Sequence, residues 1–91
     1  MLDEIVLPDE INRYRSVYEK AKEANQVTDA NKFSFAYCLI RSKAKSDVRT
    51  GLTLLRELYD GTSSDDAKRD YLYYLAIGIK LKFLNKINII L

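Results

Sequence analysis

Very little in this chain could do covalent chemistry: among 91 residues there is no histidine and one cysteine, with 13 acidic groups, 15 basic groups and seven tyrosines. Without histidine, neither a Ser-His nor a Cys-His nucleophilic pair can be built, and histidine-based metal sites are excluded too. Cys38 has no partner in the chain for a disulfide, which fits a reducing compartment, and in the apolar run "FAYCLI" it reads as a small buried hydrophobe. Adjacent carboxylates occur at Asp3-Glu4, Asp9-Glu10 and Asp65-Asp66. Each pair falls near an expected helix start, where complementing the helix dipole explains it better than acid-base work. Gly51, Gly61 and Gly78 are too widely spaced to form a phosphate-cradling loop. These residues predict a protein that is not an enzyme and that holds no cofactor and no metal.

Tyrosines can stack on nucleic-acid bases, but stacking proteins also need a basic face. The net charge is only +2, with the signs interspersed. Residues 1–67 hold 10 basic and 12 acidic groups, and residues 68–91 hold 5 and 1, so the sole basic region is the last quarter. Nucleic acid is therefore not an expected partner. The start, "MLDEIVLPDE", is acidic and unlike a leader peptide, and "LKFLNKINIIL" is interrupted by Lys and Asn and too short to span a bilayer. The chain as written is expected in the cytosol, without a membrane span.

Three glycines, one proline and apolar residues recurring at intervals of three and four argue for helices throughout. The first is expected from Pro8 to Ala24, on a stripe of Ile11, Tyr14, Val17, Tyr18, Ala21 and Ala24. The second, capped by Thr28 or Asp29, should reach Ala44 and place Arg41, Lys43 and Lys45 at its C-terminal end, where cations suit the dipole. Ser46 is a natural N-cap for a third helix reaching Tyr59. After the turn "DGTSSDD", Ser63 or Ser64 would cap a fourth, from Asp66 to Lys80.

The second and fourth helices are apolar on nearly every face. Phe33, Ala36, Tyr37, Ile40 and Arg41 align with Tyr73, Ala76, Ile77, Lys80 and Leu81, a weak repeat of 40 residues. A period of about that length, with two helices per unit, marks a helical solenoid, in which the first helix of each unit is packed on both flanks. The fold expected is all-α: a single tetratricopeptide-like array of antiparallel hairpins, with about four to five helices. Residues 1–8 would be an N-terminal arm, 9–82 the array and 83–91 a divergent end. A glycine inside a helix costs about 1 kcal/mol relative to alanine, so Gly51 should allow close approach of the third helix to Ala36, with Ala76 as the repeat equivalent.

The segments "FAYCLIRSK", "DVRTGLTLLREL" and "RDYLYYLAIG" in this order closely resemble the mitochondrial fission 1 family. The resemblance implies two tetratricopeptide-like hairpins flanked by extra helices, carried on a tail-anchored adaptor. Such adaptors sit on the cytosolic face of the mitochondrial outer membrane, and on peroxisomes. It also implies recruitment of a dynamin-related GTPase, or of that GTPase's adaptors, through a concave groove. By similarity the groove positions fall on Phe35, Leu39 and Tyr74. A generic tetratricopeptide register instead turns Phe33, Tyr37 and Ile40, with Tyr73, Ile77 and Lys80, toward the concave side. Plain core packing accounts equally well for each of these apolar residues. Arg41 stands apart, because a charge on an apolar helix must sit at an edge, where it could meet an acidic partner.

After Gly78 the sequence departs from the family pattern, running one residue short and then into "INIIL". Together with the missing tail anchor, this reads as a shortened form. Phe83, Leu84, Ile87, Ile89, Ile90 and Leu91 would have to fold back as a short helix over the fourth, or drive self-association. Two rival readings are a generic tetratricopeptide-like module unrelated to fission and a nonfunctional truncated product.

Overall fold

Helix α1 (Pro8–Glu23) opens on a proline, whose fixed φ suits a first turn, followed by Asp9 and Glu10 at the positive end of the dipole. The structure, a computed structural model, describes the backbone of residues 7–90 and the side chains of residues 7–82. Most of the expected arm, residues 1–6, therefore lies outside the described residues. So do Leu91 and the side chains from Phe83 onward, on which the expected cover or self-association rests. α1 closes in a left-handed cap: Asn25 has φ 56°, its N–H donates to the Lys22 carbonyl at 3.1 Å, and the Gln26 N–H donates to Ala21 at 2.7 Å. Asparagine is the residue other than glycine that best tolerates this conformation.

Helix α2 (Asp29–Ile40) begins with a reciprocal cap, the Asn31 N–H donating to Thr28 Oγ1 at 3.1 Å and the Thr28 N–H to Asn31 Oδ1 at 2.9 Å. It stops short of the expected Ala44, so Lys43 and Lys45 are not in its last turn. The cause is Ser42, whose buried hydroxyl donates to Asp47 Oδ2 at 2.8 Å and accepts from the Ala44 N–H at 3.1 Å. This bridge turns the chain at once into α3 (Lys45–Gly61). The N-cap of α3 is accordingly Ala44 and not the expected Ser46. Asp47 is held further by Arg15 of α1, 3.2 Å away.

Helix α4 runs from Asp65 to Ile90, with Ser64 Oγ accepting from the Ala67 N–H at 3.2 Å. It passes the expected end at Lys80 because nothing after Gly78 in "IKLKFLNKINII" breaks a helix. The backbone of residues 83–90 thus extends α4 and does not turn back as a separate helix.

α2 packs against each of the other three helices, which is why a helix of that length carries apolar residues on several faces. Its Phe35, Ala36, Cys38, Leu39 and Ile40 are buried, together with Ile11 from α1 and Val48, Leu54, Leu55 and Leu58 from α3. The stripe expected on α1 is rotated. Tyr14 and Val17 are exposed, whereas Ile11 and Tyr18 of that stripe do turn inward, joined by the Arg15 guanidinium, with Arg15 and Tyr18 against Phe35. α4 is covered on one side only, leaving Leu72 55% and Ile79 58% exposed among the described residues.

Candidate partner-binding groove

On α2, Phe33, Tyr37 and Arg41 follow one another at intervals of four, so they share a stripe that faces away from α3. α4 lays Tyr71 and Tyr74 against it. The rings form a connected strip: Phe33 lies 6.0 Å from Tyr71 and 5.2 Å from Tyr74, and Tyr37 lies 5.5 Å from Tyr74 and 6.1 Å from Phe33. Tyr73, 60% exposed, extends the strip outward with its ring 5.2 Å from Tyr74. Edge-to-face contacts of this kind each contribute about 0.5–1.5 kcal/mol beyond their buried area, so the strip is stiff as well as apolar.

The two ends of the strip differ in charge. At the α2 C-terminus the Arg41 guanidinium sits 4.3 Å from the Tyr37 ring centroid, and its Nε–H donates to the Tyr37 carbonyl at 3.4 Å. At the other end, Asp29 and Asp70 rim a cavity of about 520 Å³ that is walled by Phe33, Tyr71, Tyr73 and Tyr74. Burial first, and then the charges of Asp29 and Asp70, raise the Tyr71 pKa above its ordinary value.

The expected site residues divide between this groove and the core. Tyr74 lies within the strip, Ile77 is half-buried on α4, and Arg41 closes one end. Phe35 and Leu39 are on the opposite side of α2, 5% and 0% exposed, and Phe35 lines a second cavity there, of about 650 Å³, with Arg15, Tyr18, Lys32, Leu54 and Glu57. Phe35 is 5.0 Å from the Tyr18 ring. Of the generic register, Phe33, Tyr37 and Tyr73 line the strip, Ile40 is buried and Lys80 is exposed. The approach of α3 to α2 is made at Gly51 and Ala36: a Cβ at Gly51 would stand 3.0 Å from the Ala36 carbonyl oxygen. Ala76 is exposed. The close residue on α4 is Gly78, where a Cβ would stand 2.6 Å from Leu52 Cδ2. Sequence reasoning missed Gly78 because the 40-residue alignment directed attention to Ala76. It missed Tyr71, Asp29 and Asp70 because their convergence depends on how α2 meets α4.

Among the described residues no cluster of side chains could hold a metal ion, and no helix is long and apolar enough to cross a membrane. Helical hairpins packed in this order form an all-α, tetratricopeptide-like array. Residues 30–62, which span α2 and α3, match the Fis1 N-terminal tetratricopeptide repeat. The chain is 37% identical over 78 residues to the mitochondrial fission 1 protein of Bos taurus and 36% identical to that of Homo sapiens. Each alignment covers 86% of this chain and 51% of the relative. A Caenorhabditis elegans protein, FIS1-related protein fis-2, is 32% identical over 78 residues, covering 86% of this chain and 52% of its own length. The chain is thus related by sequence to the mitochondrial fission 1 proteins, and it spans about half the length of the curated relatives it matches.

Proposed function

We propose that this domain is a non-catalytic adaptor in mitochondrial fission that holds a segment of a partner protein along the aromatic strip between α2 and α4. The observation that carries the reading is the strip itself: Phe33, Tyr37, Tyr71 and Tyr74 gather rings at an accessible face while the opposite side of α2 fills the core. Aromatic side chains on a rigid support are the usual anchors of protein interfaces, and every element here is backed by another helix. The kinship with mitochondrial fission 1 proteins supports the organelle and the process. The partner in this reading is a dynamin-related GTPase or one of its adaptors, met on the cytosolic face of the mitochondrial outer membrane and of peroxisomes. Arg41, Tyr74 and Ile77 contact the partner, whereas Phe35 and Leu39 contribute by seating α2.

The test is recruitment. The chain, fused to a mitochondrial tail anchor, is expected to draw the dynamin-related GTPase from the cytosol to the organelle. Tyr73→Ala, at an exposed position, and Arg41→Glu, at a half-buried one on the rim of the strip, are expected to reduce that recruitment while leaving the circular dichroism spectrum unchanged. Recruitment that survives both substitutions would overturn the aromatic strip as the binding surface, and a parent chain that recruits no GTPase would favour a generic binding module with no part in fission.

A further inference from the structure

The chemistry of one end of the groove is more specific than that of an apolar cleft. We propose that the cavity between Asp29 and Asp70 is a receptor for a cationic side chain, lysine or arginine, carried by an extended segment of the partner protein. This rests on the groove reading above and names the partner's chemistry at one position.

Three observations carry it. The cavity walls are the rings of Phe33, Tyr71, Tyr73 and Tyr74, and a cation is drawn to the negative face of such rings, Tyr among them. Two carboxylates rim the same space, and neither is paired with a cation among the described residues. The neighbouring charges are engaged elsewhere: Lys32 Nζ is 2.8 Å from Glu57, and Arg69 lies beside Asp66 at 4.0 Å. The raised Tyr71 pKa, to which both carboxylates contribute after burial, registers their field inside the pocket.

Ring contacts continue from the cavity through Tyr37 to Arg41, and the length of that strip favours a peptide over a small cation. From Asp29 to Arg41 the helix rises about 18 Å at 1.5 Å per residue, a span that about five or six extended residues cover. Arg41, seated over Tyr37, marks the far end with the opposite charge. A segment with a basic residue at one end and an acidic residue about five positions away would match both.

The experiment uses the full 91-residue chain as bait for a phage-displayed library of random nine-residue peptides, followed by calorimetric titration of the synthetic peptides selected. Selected peptides are expected to share a Lys or Arg. Their affinity should fall about tenfold when that residue is replaced by norleucine, and by a similar factor in Asp29→Asn/Asp70→Asn. Raising the salt concentration should weaken them as well. Asp70→Asn alone guards against a folding defect from removing the charge at the start of α2. Peptides whose binding is lost with Tyr73→Ala but kept with the double Asp variant would overturn the cation receptor while leaving the groove in place. Selection of no peptide, or of peptides indifferent to Tyr73→Ala, would overturn both. Phosphocholine binding in the same pocket as tightly as the selected peptides would overturn the peptide assignment in favour of a lipid headgroup.

Discussion

Replacing each glycine in turn by alanine should reveal how tightly the helices are pressed together, because the three sites differ sharply in what a new methyl group would meet. At Gly51 the added carbon would lie 2.9 Å from Leu39 Cβ, 2.9 Å from Ile40 Cγ2 and 3.0 Å from the Ala36 carbonyl oxygen. Carbon atoms pack comfortably at about 3.5–4.0 Å, and both Leu39 Cβ and the Ala36 oxygen are fixed to the α2 backbone, so α3 must back away by roughly half an ångström. Overpacking of this kind costs about 1–3 kcal/mol, and the rigid neighbours place Gly51→Ala at the upper end. Removing a glycine from a helix interior returns about 1 kcal/mol, leaving a net loss of about 2 kcal/mol. At Gly78 the nearest atom is Leu52 Cδ2 at 2.6 Å, the mobile tip of a half-buried side chain that can rotate, and the next is Ile40 Cγ2 at 3.2 Å. Gly78→Ala should therefore stay within about 1 kcal/mol of the parent. Nothing lies within 4 Å of a Cβ at Gly61, and none of the glycines has positive φ, so Gly61→Ala should stabilise by about 0.5 kcal/mol. Urea denaturation followed by far-ultraviolet circular dichroism measures all three. A domain of this size holds about 5–10 kcal/mol, so Gly51→Ala should still fold, with a Tm lower by about 10 °C. A Gly51→Ala protein as stable as Gly61→Ala would refute the close approach of α2 and α3.

Two further predictions concern buried polar groups. Ser42→Ala removes the donor to Asp47 Oδ2 and the acceptor of the Ala44 N–H, and it should lower stability by about 1–2 kcal/mol in the same urea assay; an unchanged midpoint would mean that the α2–α3 turn does not depend on this bridge. The Cys38 thiol is pushed above its ordinary 9.0 by burial, against the opposing hydrogen bond and charge of Arg41, and Tyr71 is pushed above 10.0 by burial and by Asp29 and Asp70. Both groups hold their proton more tightly folded than unfolded, so their contribution is complete below the unfolded values and is lost as pH rises through the folded ones. The urea midpoint should accordingly begin to fall as pH rises above 9.0 and fall further above 10.0, and Cys38→Ala should flatten the earlier part of that fall; a midpoint that stays level as pH rises past both values would contradict the argument.

How much was legible beforehand varies along the chain. The crossing at Gly51 and Ala36 could be seen because a glycine in a strongly apolar helical pattern has few other uses, and residue type narrowed the cap of α2 to Thr28 or Asp29, of which the structure uses Thr28. The end of α2 could not, because it depends on Ser42 reaching Asp47, a residue in the next helix that Arg15 of α1 holds in place. The end of α4 lies ten residues beyond the expected Lys80, since no residue after Gly78 interrupts a helix.

The sequence by itself determined that the chain is helical, that it has no histidine for a Ser-His or Cys-His pair or for a histidine-based metal site, and that α2 must be enclosed on more than one flank. Those conclusions rest on composition and local spacing, which each segment carries with it. Which rings look outward was decided only by tertiary packing. A helix apolar on every face has no preferred side, so α1, α3 and α4 choose it: Phe35 and Leu39 go to the core, and Phe33 and Tyr37 meet Tyr74. The juxtaposition of Asp29 and Asp70 at the end of the aromatic strip follows from the same choice, since the two carboxylates belong to helices that meet only in the folded chain.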